Sequence, residues 1–239
     1  LDGVTVRIKY EERRNLVTDA DMAADRLIHE RLRVAFPDHA IFSEETAQIG
    51  DVVDPSVPTW IVDPIDGTSN FTRGLPLYAI SLALFLEGQG QVAVVYAPEV
   101  NWCFCAAAGQ GSTLNGRPLQ VGTRETLDEA IVCCDWPRDP ALRRRAVGVL
   151  GEFAERAHTL RTVGSAALGL AMVAAGWLSL YWHLTLEPWD VAGAQLIVQE
   201  AGGLVTTPGG ASWSPATGGV LASSGPLHQE GLAILQRHV

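Results

Sequence analysis

The 25 residues from Thr162 to Leu186 contain no Asp, Glu, Lys or Arg. Roughly 20 apolar residues suffice to cross a bilayer, so a run of this length must be placed either in lipid or inside a protein. Gly164, Gly169 and Gly176 interrupt it, and its pattern changes halfway. Residues 164–175 read as a buried helix that Gly176 is placed to end. Trp177–His183 then reads as an aromatic-rich strand. The run is therefore interior protein rather than a membrane span, and a fold that hides a helix and a strand together needs a large core. The chain can supply one: it has 239 residues, 47% hydrophobic and 18% charged. That composition excludes a disordered chain, which lacks the apolar surface to offset chain entropy.

The rest of the chain is read around that core. Thr18 or Asp19 caps a helix to about Ala35, with Ala24, Leu27, Ile28 and Leu32 as its apolar face, and Pro37 stops it. Ala40–Ser43 is a short strand leading into Glu44-Glu45, residues 50–58 form a loop, and Trp60–Val62 is a strand. Tyr78–Leu86, Gln91–Ala97 and Asn101–Ala107 make a meander. Asn115-Gly116 marks a hairpin, since that pair tolerates the positive φ angles of a type I′ turn. Beyond a boundary near 120–128, elements alternate: strand Ala130–Cys134, helix about 140–157, strand about 158–162, the helix and strand of the uncharged run, helix about 190–201 stopped by Gly202-Gly203, and strand Leu204–Thr206. A meander followed by alternating elements predicts a mixed, layered α/β architecture in two halves, 1–122 and 123–239.

The chemistry concentrates in Trp-Ile-Val-Asp-Pro-Ile-Asp-Gly-Thr-Ser-Asn-Phe, residues 60–71. Asp63 ends a strand, and Asp66 follows after a turn stiffened by Pro64. Two carboxylates so close repel unless a cation lies between them. The turn leaves the Ile65 carbonyl free to point outward, and hard oxygen ligands of this kind suit Mg²⁺ better than zinc. Gly67 lets a ligand approach the backbone, and a helix starting near Thr68 would aim its first amides at phosphate. Glu44-Glu45 and Asp190, at the start of a helix, are further acidic groups that can join this site; a solvated loop and a simple N-cap are their plainer readings.

Charge and cysteine usage narrow the partners. Seventeen basic against 27 acidic residues give a net charge of −10, and 14 of the 27 carboxylates fall in residues 1–66. Such a chain is repelled by nucleic-acid phosphates, and its only dense basic run, Arg143–Arg145, reads as a solvated helix face. Cys103 and Cys105 share one strand face, and adjacent Cys133 and Cys134 point to opposite faces. With no C-x-x-C pair they read as buried reduced thiols, which favours a reducing, cytoplasmic compartment. No signal-peptide pattern opens the sequence, which begins on Leu1.

Six segments occur in order: Val17-Thr18-Asp19-Ala20-Asp21; Phe36-Pro37-Asp38-His39 with Glu44-Glu45; Trp60–Phe71; Leu114-Asn115-Gly116-Arg117-Pro118-Leu119; Val163-Gly164-Ser165-Ala166-Ala167; and Pro188-Trp189-Asp190-Val191-Ala192-Gly193. Together they resemble the inositol monophosphatase family of Mg²⁺-dependent, lithium-sensitive phosphatases, over roughly residues 10–205. The resemblance implies a five-layered αβαβα sandwich, usually a homodimer, acting on a small-molecule phosphate monoester. It implies that Glu44, Asp63 and the Ile65 carbonyl hold one Mg²⁺, that Asp63, Asp66 and Asp190 hold a second, and that a weaker third ion sits near Glu44. Thr68, paired with Asp21, would orient the attacking water. Gly67 and Thr68 amides would hold the phosphate, and Gly164, Ser165 and Ala166 would border the alcohol.

The sequence departs from the family in two places. Inositol-selective members usually carry Glu seven positions before the final Asp, where this chain has His183. The helix that precedes the Lys9 region in the family has no matching residues, and Lys9 or Tyr10 falls near a lysine that many members place by the metals. Histidinol phosphate, fructose 1,6-bisphosphate and 3′-phosphoadenosine nucleotides are rival substrates. A non-catalytic metal- or phosphate-binding module and a cysteine-based zinc or redox protein are rivals of other classes.

Overall fold

A computed structural model describes residues 5–8, 16–48, 50–124 and 126–238, so Lys9 and Tyr10 fall outside the described residues. Strands β1 (Val6–Ile8) and β2 (Leu16–Thr18) pair antiparallel and lead into α1 (Asp19–Ala35). A seven-stranded sheet follows, with strands in sequence order: β3 (Ala40–Ser43), β4 (Thr59–Asp66), β5 (Ala79–Leu86), β6 (Gln89–Ala97), β7 (Trp102–Ala107), β8 (Ser112–Leu114) and β9 (Arg117–Pro118). Only β3 and β4 run parallel; every other neighbouring pair is antiparallel. The single-turn helix α2 (Thr68–Phe71) interrupts the path from β4 to β5. Asn115 and Gly116 both have positive φ, 49° and 78°, as the hairpin signal requires.

The second half builds a five-stranded sheet in the order β11 (Thr159–Arg161), β10 (Ile131–Cys134), β12 (Leu180–His183), β14 (Val220–Ser223), β13 (Leu204–Thr206). Its helices are α3 (Pro140–Arg156), α4 (Ala166–Ala174), α5 (Pro188–Glu200) and α6 (Gly225–Gln236). β14 and α6 lie beyond Thr206, the end of the last element the sequence predicts, and β14 is the strand that joins β12 to β13.

Alternation along β12 explains the layering. Tyr181 faces α4, where a Cβ on Gly169 would lie 2.5 Å from its ring. Leu180 and Trp182 face the other way, onto α3 and α6, with Trp182 stacked on Phe153 at 6.0 Å. Helix α5 packs against both sheets, and a Cβ on Gly193 would meet the Ser81 hydroxyl at 2.6 Å. α1 lies on β4 at the outer side, where Trp60 packs against Phe36. The order is thus helix, seven-stranded sheet, α4 and α5, five-stranded sheet, α3 and α6: the predicted five-layered αβαβα sandwich. The uncharged run supplies α4 and β12 inside it, and among the described residues no helix is long and apolar enough to cross a membrane.

One face was misread. The sequence assigns Leu27 to the buried side of α1, but Leu27 is exposed, and the buried positions are Asp21, Asp25 and His29. They recur at i, i+4, i+8, so the helix turns a polar stripe inward. The reason is functional: that stripe lies against the strands carrying the acidic site described next.

Candidate functional site

Strand β4 brings its two carboxylates together through an irregularity. Residues three apart on a regular strand point to opposite faces. Asp63 pairs with Ser81 and Asp66 with Ala79, so three steps on β4 match two on β5, and the bulge returns Asp66 to the face of Asp63. The sequence reading placed the strand end at Asp63; β4 in fact continues through this bulge to Asp66.

Asp190 arrives from the other half. It is the third residue of α5, and its carboxylate accepts the Glu187 amide at 2.8 Å, closing a capping box at the helix start. Ligand oxygens of Asp63, Asp66 and Asp190 all lie within 4.8 Å of one another. Glu44 is buried beside them: Ser43 pairs with Val62, and the Glu44 amide donates to the Val62 carbonyl at 3.1 Å. Asp25 of α1 accepts from the Ser43 hydroxyl at 2.5 Å and so anchors the residue before Glu44.

Burial and crowding raise the proton affinity of the whole cluster. Burial, then the charges of Glu44, Asp66, Asp190 and Asp21, push Asp63 far above the usual carboxylate range. Asp66 is raised to about 7 by burial, against hydrogen bonds from the Ser165 hydroxyl (2.5 Å) and the Ala167 amide (2.7 Å). Asp190 is raised by burial and then by Asp66 and Glu44. Several carboxylates cannot all ionise in one buried site without an added cation. An all-oxygen donor set of this kind fits a hard divalent ion.

Thr68 stands next to that set. Its hydroxyl lies 3.3 Å from Asp21 Oδ1 and 3.1 Å from the Ile65 carbonyl. Asp21, buried and raised by that burial, is held by the Thr18 amide at 2.8 Å and by the Thr18 hydroxyl. One lone pair of the Ile65 carbonyl therefore faces Thr68. Gly67 has a packing role as well. Its φ is 94°, and a Cβ there would lie 3.0 Å from the Gly164 carbonyl and 3.2 Å from Ser165 Cβ. A bare Cα is needed for a left-handed turn packed on the 164–165 segment.

That segment is locked by groups the sequence reading passed over. Asp135, at the end of β10, accepts the Val163 amide at 3.0 Å, the Gly164 amide at 2.7 Å and the Tyr181 hydroxyl at 3.0 Å. Asn70 of α2 donates to the Val163 and Leu77 carbonyls, and Gly164 has no room for a side chain against it. Ser165 caps α4 and is turned into Asp66, while Ala166 is buried behind it. No local pattern marks Asp135, because its partners come from two other elements.

His183 ends β12 and is buried. Burial lowers its pKa to about 4, so the ring is neutral at physiological pH, and its Nδ1 accepts the Thr185 amide at 3.2 Å. Exposed Arg138, between β10 and α3, acts electrostatically on both His183 and Asp190. The four cysteines are free thiols; burial raises Cys133 and takes Cys134 to about 12, which makes neither a ready nucleophile.

The model of the inositol monophosphatase family matches residues 3–239. The chain belongs to the inositol monophosphatase family. It is 38% identical over 219 residues to the inositol-1-monophosphatase of Synechocystis, covering 90% of this chain and 75% of that one. It is 37% identical over 211 residues to the Nus factor SuhB of Escherichia coli, covering 88% and 78%. The solved Thermotoga maritima IMPase superposes with a TM-score of 0.87 at 32% identity, over 98% of this chain and 87% of that one. An IMPase/NADP phosphatase solved with Mg²⁺ and phosphate superposes with a TM-score of 0.86 at 25% identity, over 97% and 86%. This family member is a phosphatase.

Proposed function

We propose that this phosphatase hydrolyses phosphate monoesters of small polyhydroxy compounds, an inositol monophosphate or a sugar phosphate, with Mg²⁺ as its cofactor. The observation that carries the reading is the trio Asp63, Asp66 and Asp190 beside the Thr68–Asp21 pair. Glu44, Asp63 and the Ile65 carbonyl would hold one ion, Asp63, Asp66 and Asp190 another, and a weaker third would sit near Glu44. Bound there, Mg²⁺ supplies charge that neutralises phosphoryl oxygens and lowers the pKa of water.

The chain's own groups do the positioning. The Thr68 hydroxyl, oriented by Asp21, presents an oxygen to the attacking water and fixes its approach to phosphorus. Gly67 and Thr68 amides donate to the phosphoryl oxygens, where charge grows in the transition state. Ser165 and the Ala167 amide hold Asp66 in place, and Gly164 and Ala166 continue the wall on the alcohol side. No covalent nucleophile is needed. Neutral, buried His183 has its Nδ1 taken by the Thr185 amide and leaves only its Nε2–H, a donor, where a Glu would offer acceptors, so it favours a broader range of alcohols. Free cysteines support a reducing, cytoplasmic setting, and the family resemblance supports a homodimer.

The test is phosphate release from a panel: inositol 1-phosphate, glycerol and sugar phosphates, histidinol phosphate, fructose 1,6-bisphosphate and a 3′-phosphoadenosine nucleotide. EDTA should abolish release and Mg²⁺ restore it. Full activity in EDTA overturns the mechanism.

A further inference from the structure

Among the described residues outside the acidic site, two thiols are held close together. Cys103 and Cys105 lie two residues apart on β7, so they share a face, and their sulfurs are 3.6 Å apart. Phe104 between them points into the core, which puts the thiols on the opposite, outer face of the seven-stranded sheet. Both are half-buried, so each stays within reach of a small molecule. Their cross-strand neighbours are Tyr96 and Val94 on β6, and Thr113 on β8 opposite Cys105.

The spacing separates two kinds of thiol chemistry. Residues i and i+2 of a strand sit about 6.6–6.8 Å apart at Cα, the far limit for a disulfide. Oxidation to an internal disulfide would therefore have to shorten β7 within its ladder. A pyramidal centre with a lone pair, with bond angles of about 100° and bonds of about 2.3 Å to sulfur, spans about 3.5 Å between two sulfurs, close to the 3.6 Å found. A linear two-sulfur centre would need about 4.6 Å, twice that bond length. The pair is set for a bent chelate. Among the described residues the only group of three or more metal-ligating side chains is the acidic trio, so nothing here completes a four-ligand zinc site. The bound centre must bring its own remaining substituent.

We propose that Cys103 and Cys105 form a chelating dithiol site for thiophilic centres that accept two sulfurs and carry their own third substituent, the class of monosubstituted trivalent arsenicals. The reaction balances without an oxidant: R–As=O and two thiols give two As–S bonds, and the oxygen leaves as water with both thiol protons. Burial, and then the neighbouring Cys103, raise the Cys105 thiol to about 11, so its proton is released only as the As–S bond forms. β7 lies three strands from β4 in the sheet, and binding rather than turnover is the readout.

The full chain, reduced and freed of reductant, is treated with phenylarsine oxide and followed by intact mass. One phenylarsenic group replacing two protons is expected, stable to excess 2-mercaptoethanol and removed by 2,3-dimercaptopropanol. Cys103→Ser and Cys105→Ser should each lose that retention by about 10²-fold, since one tethered thiol no longer supplies the other at high local concentration. Cys133→Ser should retain it. Cys103→Ala, with its circular dichroism spectrum compared with wild type, guards against misfolding. No adduct on the wild-type chain, an adduct that survives loss of either Cys103 or Cys105, or ready formation of a Cys103–Cys105 disulfide with glutathione disulfide would each overturn the proposal.

Discussion

Replacing Asp63 by Asn should damage activity and improve stability in the same protein. Asp63 is buried, and its oxygens lie within 4.8 Å of those of Asp66 and Asp190. At that separation and an effective dielectric near 20, two full charges repel by about 3.5 kcal/mol. Asp63 and Asp66, both raised by burial and crowding, relieve this by holding protons that the unfolded chain releases near its ordinary carboxylate value. That proton uptake costs stability near neutral pH, and the substitution removes Asp63's share, about 2 kcal/mol. The asparagine oxygen can still accept the Ile65 amide, which now reaches Asp63 Oδ1 at 3.0 Å. For a chain of this size 2 kcal/mol corresponds to a rise in Tm of about 4–8 °C. Without the charge the cation site is weakened, so turnover should fall by about 10³-fold, as when a transition-state electrostatic contact is lost. The assay is a melt in EDTA and in Mg²⁺, beside phosphate release at saturating Mg²⁺. The variant should melt higher than wild type in EDTA and gain less from Mg²⁺. An unchanged or lower Tm in EDTA would refute the crowding argument, and turnover within threefold of wild type would refute the role.

Other expectations rest on different residues. In EDTA, stability should fall as pH rises from about 4 to 7, since folded Asp66 keeps a proton that the unfolded chain releases near its ordinary value; denaturant titrations at pH 5, 6, 7 and 8 read the slope, at most about 1.4 kcal/mol per pH unit for this group. A slope of opposite sign would show that Asp66 is ionised in the metal-free fold. Asp135→Leu leaves the buried Tyr181 hydroxyl and two amides without their acceptor, for a loss of about 3 kcal/mol measured in urea, and should lower kcat through Ser165 and Asp66; Asp135→Asn should recover part of both. His183→Glu should shift the kcat/KM ranking toward inositol 1-phosphate by about 1–2 kcal/mol, and an unchanged ranking across the substrate panel removes His183 as the selectivity residue. Lithium should inhibit uncompetitively, and complete insensitivity in the same assay would place the chain on a distant branch of the family.

Much of this protein is legible locally. Thr18 and Asp21 close a capping box within four residues, Asn115-Gly116 satisfies a turn by its own φ angles, and Asp139 and Ser165 cap α3 and α4 through their own side chains. Such features depend on neighbours in the chain, so they can be read before any tertiary contact exists. The segment from Trp60 to Phe71 likewise announces paired carboxylates and an oxygen-rich turn. What it does not contain is the pairing of those groups with the rest. Asp190 reaches Asp63 because α5 is clamped between two sheets, and Asp66 turns to their side because β4 bulges against β5. Ser165 is drawn to Asp66 from the other half of the chain, and Asp135 finds its partners on the 163–164 segment and β12. α1 shows the difference most clearly. Apolar periodicity chose Leu27 for burial, yet Asp21, Asp25 and His29 are inside, because the surface that α1 covers is polar and its partners, Thr68 and Ser43, lie on other elements. Hydrophobic pattern ranks side chains by their cost in water, whereas burial of a charge is decided by the hydrogen-bond partners that the assembled layers bring to it.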